Sequence, residues 1–267
     1  MTPVLEVQHL HQIFEAGTVN ENHVLRGINL TINPGDFMTI IGGNGAGKST
    51  LLNSIAGTIP VEQGTITLNG ENITRHSVTR RSKAISRVFQ DPKMGTAVRL
   101  TVEENMALAM KRGQKRGFRY GVKASDRGFF KEQLARLGLG LENRLTAEIG
   151  LLSGGQRQAI TLLMATLQRP DLILLDEHTA ALDPKTSITV MELTTKLIQE
   201  QNLTTFMVTH DMADAIRYGN RLIMLHQGQI VVDLDQAKKQ NLTVPQLMEM
   251  FHQNSGSELK DDQLLLS

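Results

Sequence analysis

The feature that most constrains this chain is a glycine-rich segment placed between a short apolar run and a helical pattern. The run is Phe37–Ile41, and the segment Gly42–Ser49 fits the pattern G-x-x-x-x-G-K-[ST]. Glycines let the backbone curl so that successive amide groups face one anion, and a helix that begins there adds its positive end. The sequence therefore predicts a phosphate-binding loop between a buried strand and a helix.

Two side chains of this segment are expected to act on a bound nucleotide. Lys48 is long enough to reach the β- and γ-phosphates, and the Ser49 hydroxyl is a suitable Mg²⁺ ligand. The residues expected to bind nucleotide here are Gly42, Asn44, Gly45, Ala46, Gly47, Lys48, Ser49 and Thr50.

A second apolar run ends in two carboxylates. Leu172–Leu175 is followed by Asp176 and Glu177, which predicts a buried strand that places both acids at the edge of the sheet beside the phosphate loop. Asp176 is suited to hold Mg²⁺ through water, and Glu177 to orient or deprotonate an attacking water. These two motifs predict a P-loop NTPase, a class that also includes kinases, helicases and GTPases.

The segment Leu152–Gln158 narrows the class. Ser153, Gly154 and Gly155 precede a predicted helix, and Ser153 is a good N-cap residue. Exposed amides at such a helix start form a second anion site. Two phosphate sites on one small chain suggest two copies that close on shared nucleotide.

Composition excludes several other classes. The 267 residues carry 28 Lys and Arg against 27 Asp and Glu, so a general nucleic-acid coat is not expected. Cysteine is absent, which excludes disulfide scaffolds, thiolate metal sites and a cysteine nucleophile. We find neither a signal peptide nor an apolar run of membrane-spanning length, so we expect a cytoplasmic protein that meets a membrane only through a partner.

Together the motifs identify the chain as similar to the ATPase subunits of ATP-binding cassette (ABC) transporters. The phosphate loop, Gln90, the Ser153–Gln156 signature, Asp176–Glu177 and His210 occur in the order of that family. The resemblance extends over nearly the whole chain. It implies an α/β fold: a P-loop NTPase core with a mostly parallel sheet, an N-terminal antiparallel β-subdomain and an inserted helical subdomain.

The resemblance also implies the domain bounds. Residues 1–252 are expected to form one ABC ATPase domain, with the core and β-subdomain in 1–90 and 170–252. Residues 91–169, where strand patterns nearly vanish, are expected to form the helical subdomain, and 253–267 a polar tail.

Further roles follow only from the resemblance. Gln90 is expected to touch Mg²⁺ and His210 the γ-phosphate, so that the implied catalytic set is Lys48, Gln90, Glu177 and His210. Phe14 is expected to stack on adenine. The implied metal ligands are Ser49, Gln90 and Asp176, and the implied cap on a partner's nucleotide consists of Ser153, Gly154, Gly155 and Gln156. The segment 181–183 is expected to cross a dimer interface.

Two features depart from the family pattern. His178 follows Glu177 where many members carry a small residue; we expect a surface histidine, with tuning of Glu177 as the alternative. The segment from Lys111 to Lys131 holds eight cations against one acid, Asp126. They are expected either to be solvated or to contact anionic lipid or an acidic partner. They are Lys111, Arg112, Lys115, Arg116, Arg119, Lys123, Arg127 and Lys131.

The expected function is ATP hydrolysis, with Mg²⁺, as a homodimer that drives a separate membrane permease served by an extracytoplasmic substrate-binding protein. Finer stretches, such as residues 89–97 and 176–186, resemble ATPases of tryptophan- and tyrosine-type uptake systems. An importer of amino acids or similar small solutes is therefore expected at the cytoplasmic face of the membrane. The alternatives are an ABC exporter, or a non-transport ABC ATPase of translation or DNA repair, which usually carries two cassettes or a long coiled coil.

Overall fold

The computed structural model describes residues 2–114 and 121–255. The chain divides into two compact units. The first unit comprises residues 1–81 and 203–267, and the second comprises residues 82–202.

The described residues form the following elements. The strands are β1 (Leu5–Phe14), β2 (Asn22–Ile32), β3 (Phe37–Gly42), β4 (Gln63–Leu68), β5 (Glu71–Asn72), β6 (Ile85–Val88), β7 (Leu172–Asp176), β8 (Thr205–Val208), β9 (Arg221–His226) and β10 (Gln229–Leu234). The α-helices are α1 (Lys48–Ala56), α2 (Val78–Arg81), α3 (Val102–Met110), α4 (Ala124–Ala135), α5 (Gly154–Thr166), α6 (Pro184–Gln201), α7 (Met212–Arg217), α8 (Gln236–Lys239) and α9 (Val244–Ser255). Short 3-10 helices cover Leu141–Asn143 and Ile149–Leu151.

The first unit contains an antiparallel sheet with the strand order β2-β1-β4-β5. Leu5 of β1 lies opposite Ile32 of β2 and Leu68 of β4. Alternate side chains of these strands are buried, as the two-residue period predicts. Asn69 and Gly70 both adopt positive φ, 49° and 82°, and so form the tight turn between β4 and β5. The predicted antiparallel β-region is confirmed.

The first unit also contains parallel strands in the order β10-β9-β3-β8, with β10 antiparallel at the edge. Every residue of β3 is buried, and this strand pairs in parallel with both β8 and β9. Such an apolar strand needs cover on both faces. One face packs in a core that includes Ile41, Met224, Leu247 and Phe251. The predicted mostly parallel sheet is confirmed, and β9 and β10 form an antiparallel hairpin at its edge.

The second unit combines the parallel pair β6 and β7 with helices α3 to α6. Two helices begin earlier than the apolar spacing predicts. Apolar spacing in the sequence predicts a helix over Ser187–Glu200, but Asp183 caps α6 and Pro184 occupies its first turn. The same spacing predicts a helix over Phe129–Leu137, whereas α4 begins at Ala124 and ends at Ala135. The first turns of both helices are mostly polar, so the periodicity of apolar residues does not reveal where these helices begin.

Within residues 2–114 and 121–255, none of the helices is long and apolar enough to cross a bilayer.

Candidate functional site

The glycine-rich loop connects β3 to α1 in the first unit. Gly47 has φ 104°, and a Cβ there would lie 2.8 Å from Leu25 Cδ2 and 3.1 Å from the Val24 carbonyl oxygen. Gly42 is equally restricted, because a Cβ would lie 2.3 Å from the Leu225 carbonyl oxygen. Gly42 and Gly47, at the two ends of this loop, therefore occupy positions where a side chain does not fit.

The loop leads directly into α1, whose N-terminus has no side-chain cap. Gly47 is the N-cap residue, no side chain caps the helix, and its first turn holds no acid. Asn44, Gly45 and Ser49 are exposed beside this end. Backbone amides and the positive end of the helix dipole therefore point to one place, as an anion site requires.

The Lys48 side chain folds back onto the glycine-rich loop. Its Nζ donates to the carbonyl oxygens of Gly42 at 2.6 Å and Gly43 at 3.1 Å, and its side chain is buried. The ammonium is therefore held at the loop by backbone acceptors.

The hairpin residue Gly228 supports the same loop from the side. Its amide donates to the Ala46 carbonyl at 3.1 Å, and its own carbonyl accepts from the Arg26 amide at 2.9 Å. A Cβ on Gly228 would lie 2.3 Å from the Val24 carbonyl oxygen. The pair Gln227-Gly228 between two strand patterns predicts a hairpin turn, but nothing in the sequence indicates that Gly228 supports the loop.

His210 lies at the same edge of the first unit's parallel strands as the loop. It follows β8, which pairs in parallel with β3, and the amide of Thr209 donates to the Ile40 carbonyl at 3.1 Å. Asp214, one turn along the chain, has its pKa raised by burial and by Asp211, while His210 opposes that rise. The structure thus brings His210 and the glycine-rich loop to one sheet edge.

Phe14 is the last residue of β1, where it pairs with Asn22, and its side chain is 38% exposed. An exposed aromatic ring at a strand end is available for stacking. The adenine role assigned to Phe14 remains a prediction.

The second unit places Gln90, Asp176 and Glu177 at one edge. Strands β6 and β7 run in parallel with Val88 opposite Leu175, so the residues that follow each strand emerge together. Gln90 is exposed. Glu177 adopts φ 43°, a conformation that non-glycine residues rarely take and that recurs at functional sites.

Asp176 has a partner that sequence analysis did not identify. Arg87 Nη2 donates to Asp176 Oδ2 at 2.6 Å, and both side chains are mostly buried. The sequence gives no hint of this ion pair, since its two residues lie 89 positions apart on different strands.

The expectation that His178 lies on the surface is wrong. It is only 2% exposed, and its Nε2 lies 3.0 Å from Thr194 Oγ1 of α6. Burial lowers the pKa of His178 to about 4, so the ring is neutral at physiological pH. His178 therefore anchors the segment after Glu177 to α6.

The signature segment forms a capped helix start. Ser153 Oγ accepts from the Gln156 amide at 3.2 Å, and Gln156 Oε1 accepts from the Ser153 amide at 3.3 Å. Gly155 packs against α6, because a Cβ there would lie 2.1 Å from Thr186 Cγ2. Ser153 and Gly154 are exposed, so the predicted second anion site has an accessible helix start.

Two side chains beyond the predicted set fix this helix start. Arg157 donates to the carbonyls of Ile149, Gly150 and Leu152 at 3.3, 2.9 and 3.1 Å. Gln158 Nε2 donates to the Phe89 carbonyl at 3.1 Å, which ties α5 to the residue before Gln90. Arg157 and Gln158 both belong to the signature segment Leu152–Gln158, and this position is the sequence feature that could have identified them as part of the site.

The segment 181–183 leads into α6. Asp183 accepts from the Thr186 amide at 3.1 Å, and its hydrogen bonds with Thr186 lower its pKa. The expected role of this segment at a dimer interface remains a prediction.

Several cations of the Lys111–Lys131 segment have structural partners. Arg112 contacts Ser86 Oγ and donates to the carbonyls of Ala165 and Gln168 at 3.2 and 2.5 Å. Arg127 forms two hydrogen bonds, 2.7 and 2.9 Å, with Glu103. Lys115, Arg116 and Arg119 lie outside the described residues.

Comparison with known proteins identifies relatives along most of the chain. The model of the family described as "ABC transporter" matches residues 25–180. The tyrosine transport ATP-binding protein of Clostridioides difficile (strain R20291) is 43% identical over 248 residues, which cover 93% of this chain and 98% of that protein. The methionine import ATP-binding protein MetN 2 of Enterococcus faecalis is 35% identical over 231 residues, 85% of this chain and 64% of that protein.

Solved structures are similar over the same length. The ADP conformation of an ATP-binding cassette of an ABC transporter superposes with a TM-score of 0.77 at 23% identity, and covers 94% of this chain and 99% of that one. This likeness shows the fold. A dimeric ATP-binding cassette in a post-hydrolysis state, bound to ADP and Pi, has a TM-score of 0.73 at 30% identity and covers 87% and 98%.

Proposed function

This chain belongs to the ABC transporter family of ATP-hydrolysing subunits, and we propose that it drives a separate membrane permease that imports amino acids or similar small solutes. The single observation that carries the proposal is the 43% identity, over nearly the full length of both chains, to a protein named for tyrosine transport. A second relative is named for methionine import. Uptake of an amino acid is the function these relatives support best.

The chain binds ATP, and the first unit supplies the residues we assign to its phosphates. We assign the backbone amides of the loop and the Lys48 ammonium to one anion site at the start of α1, where Asn44, Gly45 and Ser49 are exposed. Lys48 already lies at the loop, so only its acceptors change when phosphate oxygens replace the carbonyls of Gly42 and Gly43. Phe14 is assigned to the adenine.

The residues assigned to Mg²⁺ fit that ion. Ser49, Gln90 and Asp176 offer a hydroxyl, an amide and a carboxylate, and oxygen donors are what Mg²⁺ prefers. When bound with ATP, the ion neutralises charge that develops on the phosphates. The ion pair with Arg87 restrains the Asp176 carboxylate, which supports this assignment.

Hydrolysis requires a residue that orients water and a residue that stabilises the γ-phosphate. Glu177 is assigned to the water, since it directly follows β7 and adopts the rare φ of 43° that recurs at functional sites. His210 is assigned to the γ-phosphate, since it lies at the sheet edge that carries the phosphate loop.

The exposed N-terminus of α5, the second predicted anion site, supports a dimer. Ser153 and Gly154 are exposed at the beginning of α5, where a helix of 13 residues directs its positive end outward. We assign this end to the nucleotide of a second copy, so that two ATP molecules bridge a two-fold homodimer. The dimeric cassette bound to ADP and Pi is consistent with that arrangement.

The proposed setting is the cytoplasmic face of the membrane, in a complex with a permease and an external substrate-binding protein. The test is purification of the tagged chain from native membranes, followed by reconstitution of the complex in vesicles that contain ATP. Uptake of labelled tyrosine or another amino acid, abolished by Glu177→Gln, would support the proposal. Outward movement of solute would identify an exporter, and co-purification with ribosomes or DNA-repair proteins alone would contradict transport.

A further inference from the structure

Arg87 contacts the carboxylate assigned to magnesium. Its Nη2 lies 2.6 Å from Asp176 Oδ2, and the two side chains are 14% and 18% exposed. Parallel pairing places Arg87 opposite Leu174, so Asp176, two residues further along β7, lies on the same face of the sheet. The ion pair therefore follows from the register of β6 and β7.

A second contact fixes the guanidinium. Its Cζ lies 4.6 Å from the ring centroid of Phe89, the residue that follows β6, and at this distance cation–π attraction stabilises the pair. The Phe89 carbonyl in turn accepts from Gln158 Nε2. Arg87 is thus held by a ring on one side and a carboxylate on the other, an arrangement that suits a planar guanidinium better than an ammonium.

We propose that Arg87 is a positioning residue for magnesium binding: it holds Asp176 Oδ2 and offsets its charge, so that the metal binds Asp176 only together with nucleotide phosphates. The proposal rests on the magnesium role assigned to Asp176. A neighbouring cation weakens the attraction of a carboxylate for a lone divalent ion. The charges of a triphosphate outweigh this effect, and Oδ1 is the oxygen that we assign to the metal's hydration shell.

The test compares Arg87→Met, which removes the charge and keeps much of the volume, with Arg87→Lys, which keeps the charge. Mn²⁺ binding is measured by electron paramagnetic resonance, without nucleotide and with a non-hydrolysable ATP analogue. Arg127→Met, which breaks the ion pair with Glu103, is the matched control. Thermal unfolding of each variant checks the fold.

For Arg87→Met we expect Mn²⁺ affinity without nucleotide to rise about tenfold, the scale of one removed neighbouring charge. We expect kcat to fall about tenfold while KM for ATP stays within about twofold, because only the orientation of Asp176 is lost. Arg87→Lys should keep the Mn²⁺ affinity of the nucleotide-free protein and lower kcat. Arg127→Met should change neither quantity.

Unchanged Mn²⁺ affinity and unchanged kcat in Arg87→Met would overturn the proposal. If Arg87→Met does not fold, Arg87→Lys decides, and wild-type kcat in that variant would overturn the positioning role. Lys48→Ala is measured in parallel, because its loss of nucleotide binding shows that the proposed function stands even when the role of Arg87 fails.

Discussion

The Nε2 atom of His178 lies 3.0 Å from Thr194 Oγ1, and that hydroxyl donates to the Val190 carbonyl at 2.7 Å. Because the hydroxyl proton is directed to Val190, the imidazole is the donor to Thr194 and carries its proton on Nε2. His178 follows Glu177 directly. A neutral, buried histidine therefore fixes the backbone beside the residue assigned to the attacking water.

We predict that His178 makes the free energy of unfolding depend on pH between about 6.5 and 4. Burial lowers its pKa to about 4 from an ordinary 6.5, so the unfolded chain binds more protons in this range. The contribution of neutral His178 to the free energy of unfolding is fully present above about pH 6.5. It decreases as the pH falls to about 4, by up to about 3 kcal/mol in all. Urea unfolding of wild type and of His178→Gln at several pH values in this range measures the pH dependence of the free energy of unfolding.

His178→Gln should lose the part of the pH dependence that falls between about pH 6.5 and 4, since glutamine does not titrate. Thr194→Val is the control: it leaves a buried imidazole N–H without its acceptor and should cost about 1–3 kcal/mol, while the pH dependence persists. Identical pH profiles for wild type and His178→Gln would contradict the prediction.

Gly155→Ala should destabilise the signature helix start. The added Cβ would lie 2.1 Å from Thr186 Cγ2, and Thr186 is held by its backbone hydrogen bond to Asp183. We expect a loss of about 1–3 kcal/mol, typical of overpacking, together with weaker ATP hydrolysis. Denaturant unfolding and ATPase assays measure both.

Gly128→Ala is the matched control, because no atom lies within 4 Å of a Cβ at that position of α4. It should stabilise the protein by about 0.5–1 kcal/mol. The second substitution Thr186→Ser removes the clashing methyl group and should restore part of the loss in Gly155→Ala. Wild-type stability of Gly155→Ala alone would refute the packing argument.

Lys48→Ala should reduce ATP binding or hydrolysis on the order of a hundredfold, because it removes the cation assigned to the β- and γ-phosphates. Calorimetric ATP titration and steady-state hydrolysis measure the effect. Lys196→Ala serves as control, since the Lys196 side chain is exposed and its Nζ lies 4.0 Å from Glu200 Oε1, a weak surface contact. Equal ATP affinity and rate in Lys48→Ala and wild type would contradict the role of Lys48.

Local sequence patterns were sufficient for the elements that carry the site. The phosphate loop follows from glycines next to Lys48, and the helix start at Ser153 follows from a capping residue three positions before Gln156. The start of α6 is also present in the sequence, as Asp183 followed by Pro184, although the apolar spacing begins only at Ser187.

Contacts between distant segments were not predictable in this way. His178 looked like a surface residue because nothing next to it in sequence indicates that Thr194 of α6 faces it. The ion pair of Arg87 with Asp176 depends on the register of two strands. Likewise, the charge of Arg112 gave no sign that it binds the carbonyls of Ala165 and Gln168.

The most direct test of the proposed ATP-bridged dimer is the mass of Glu177→Gln in solution with ATP and Mg²⁺, measured by light scattering after size-exclusion chromatography. This variant should bind ATP, fail to hydrolyse it and elute as a dimer, whereas the same sample with ADP should elute as a monomer. The added substitution Ser153→Arg should abolish the dimer by blocking the signature helix start. A Glu177→Gln sample that binds ATP yet stays monomeric, both alone and with its signature exposed in the assembled transporter, would contradict the account.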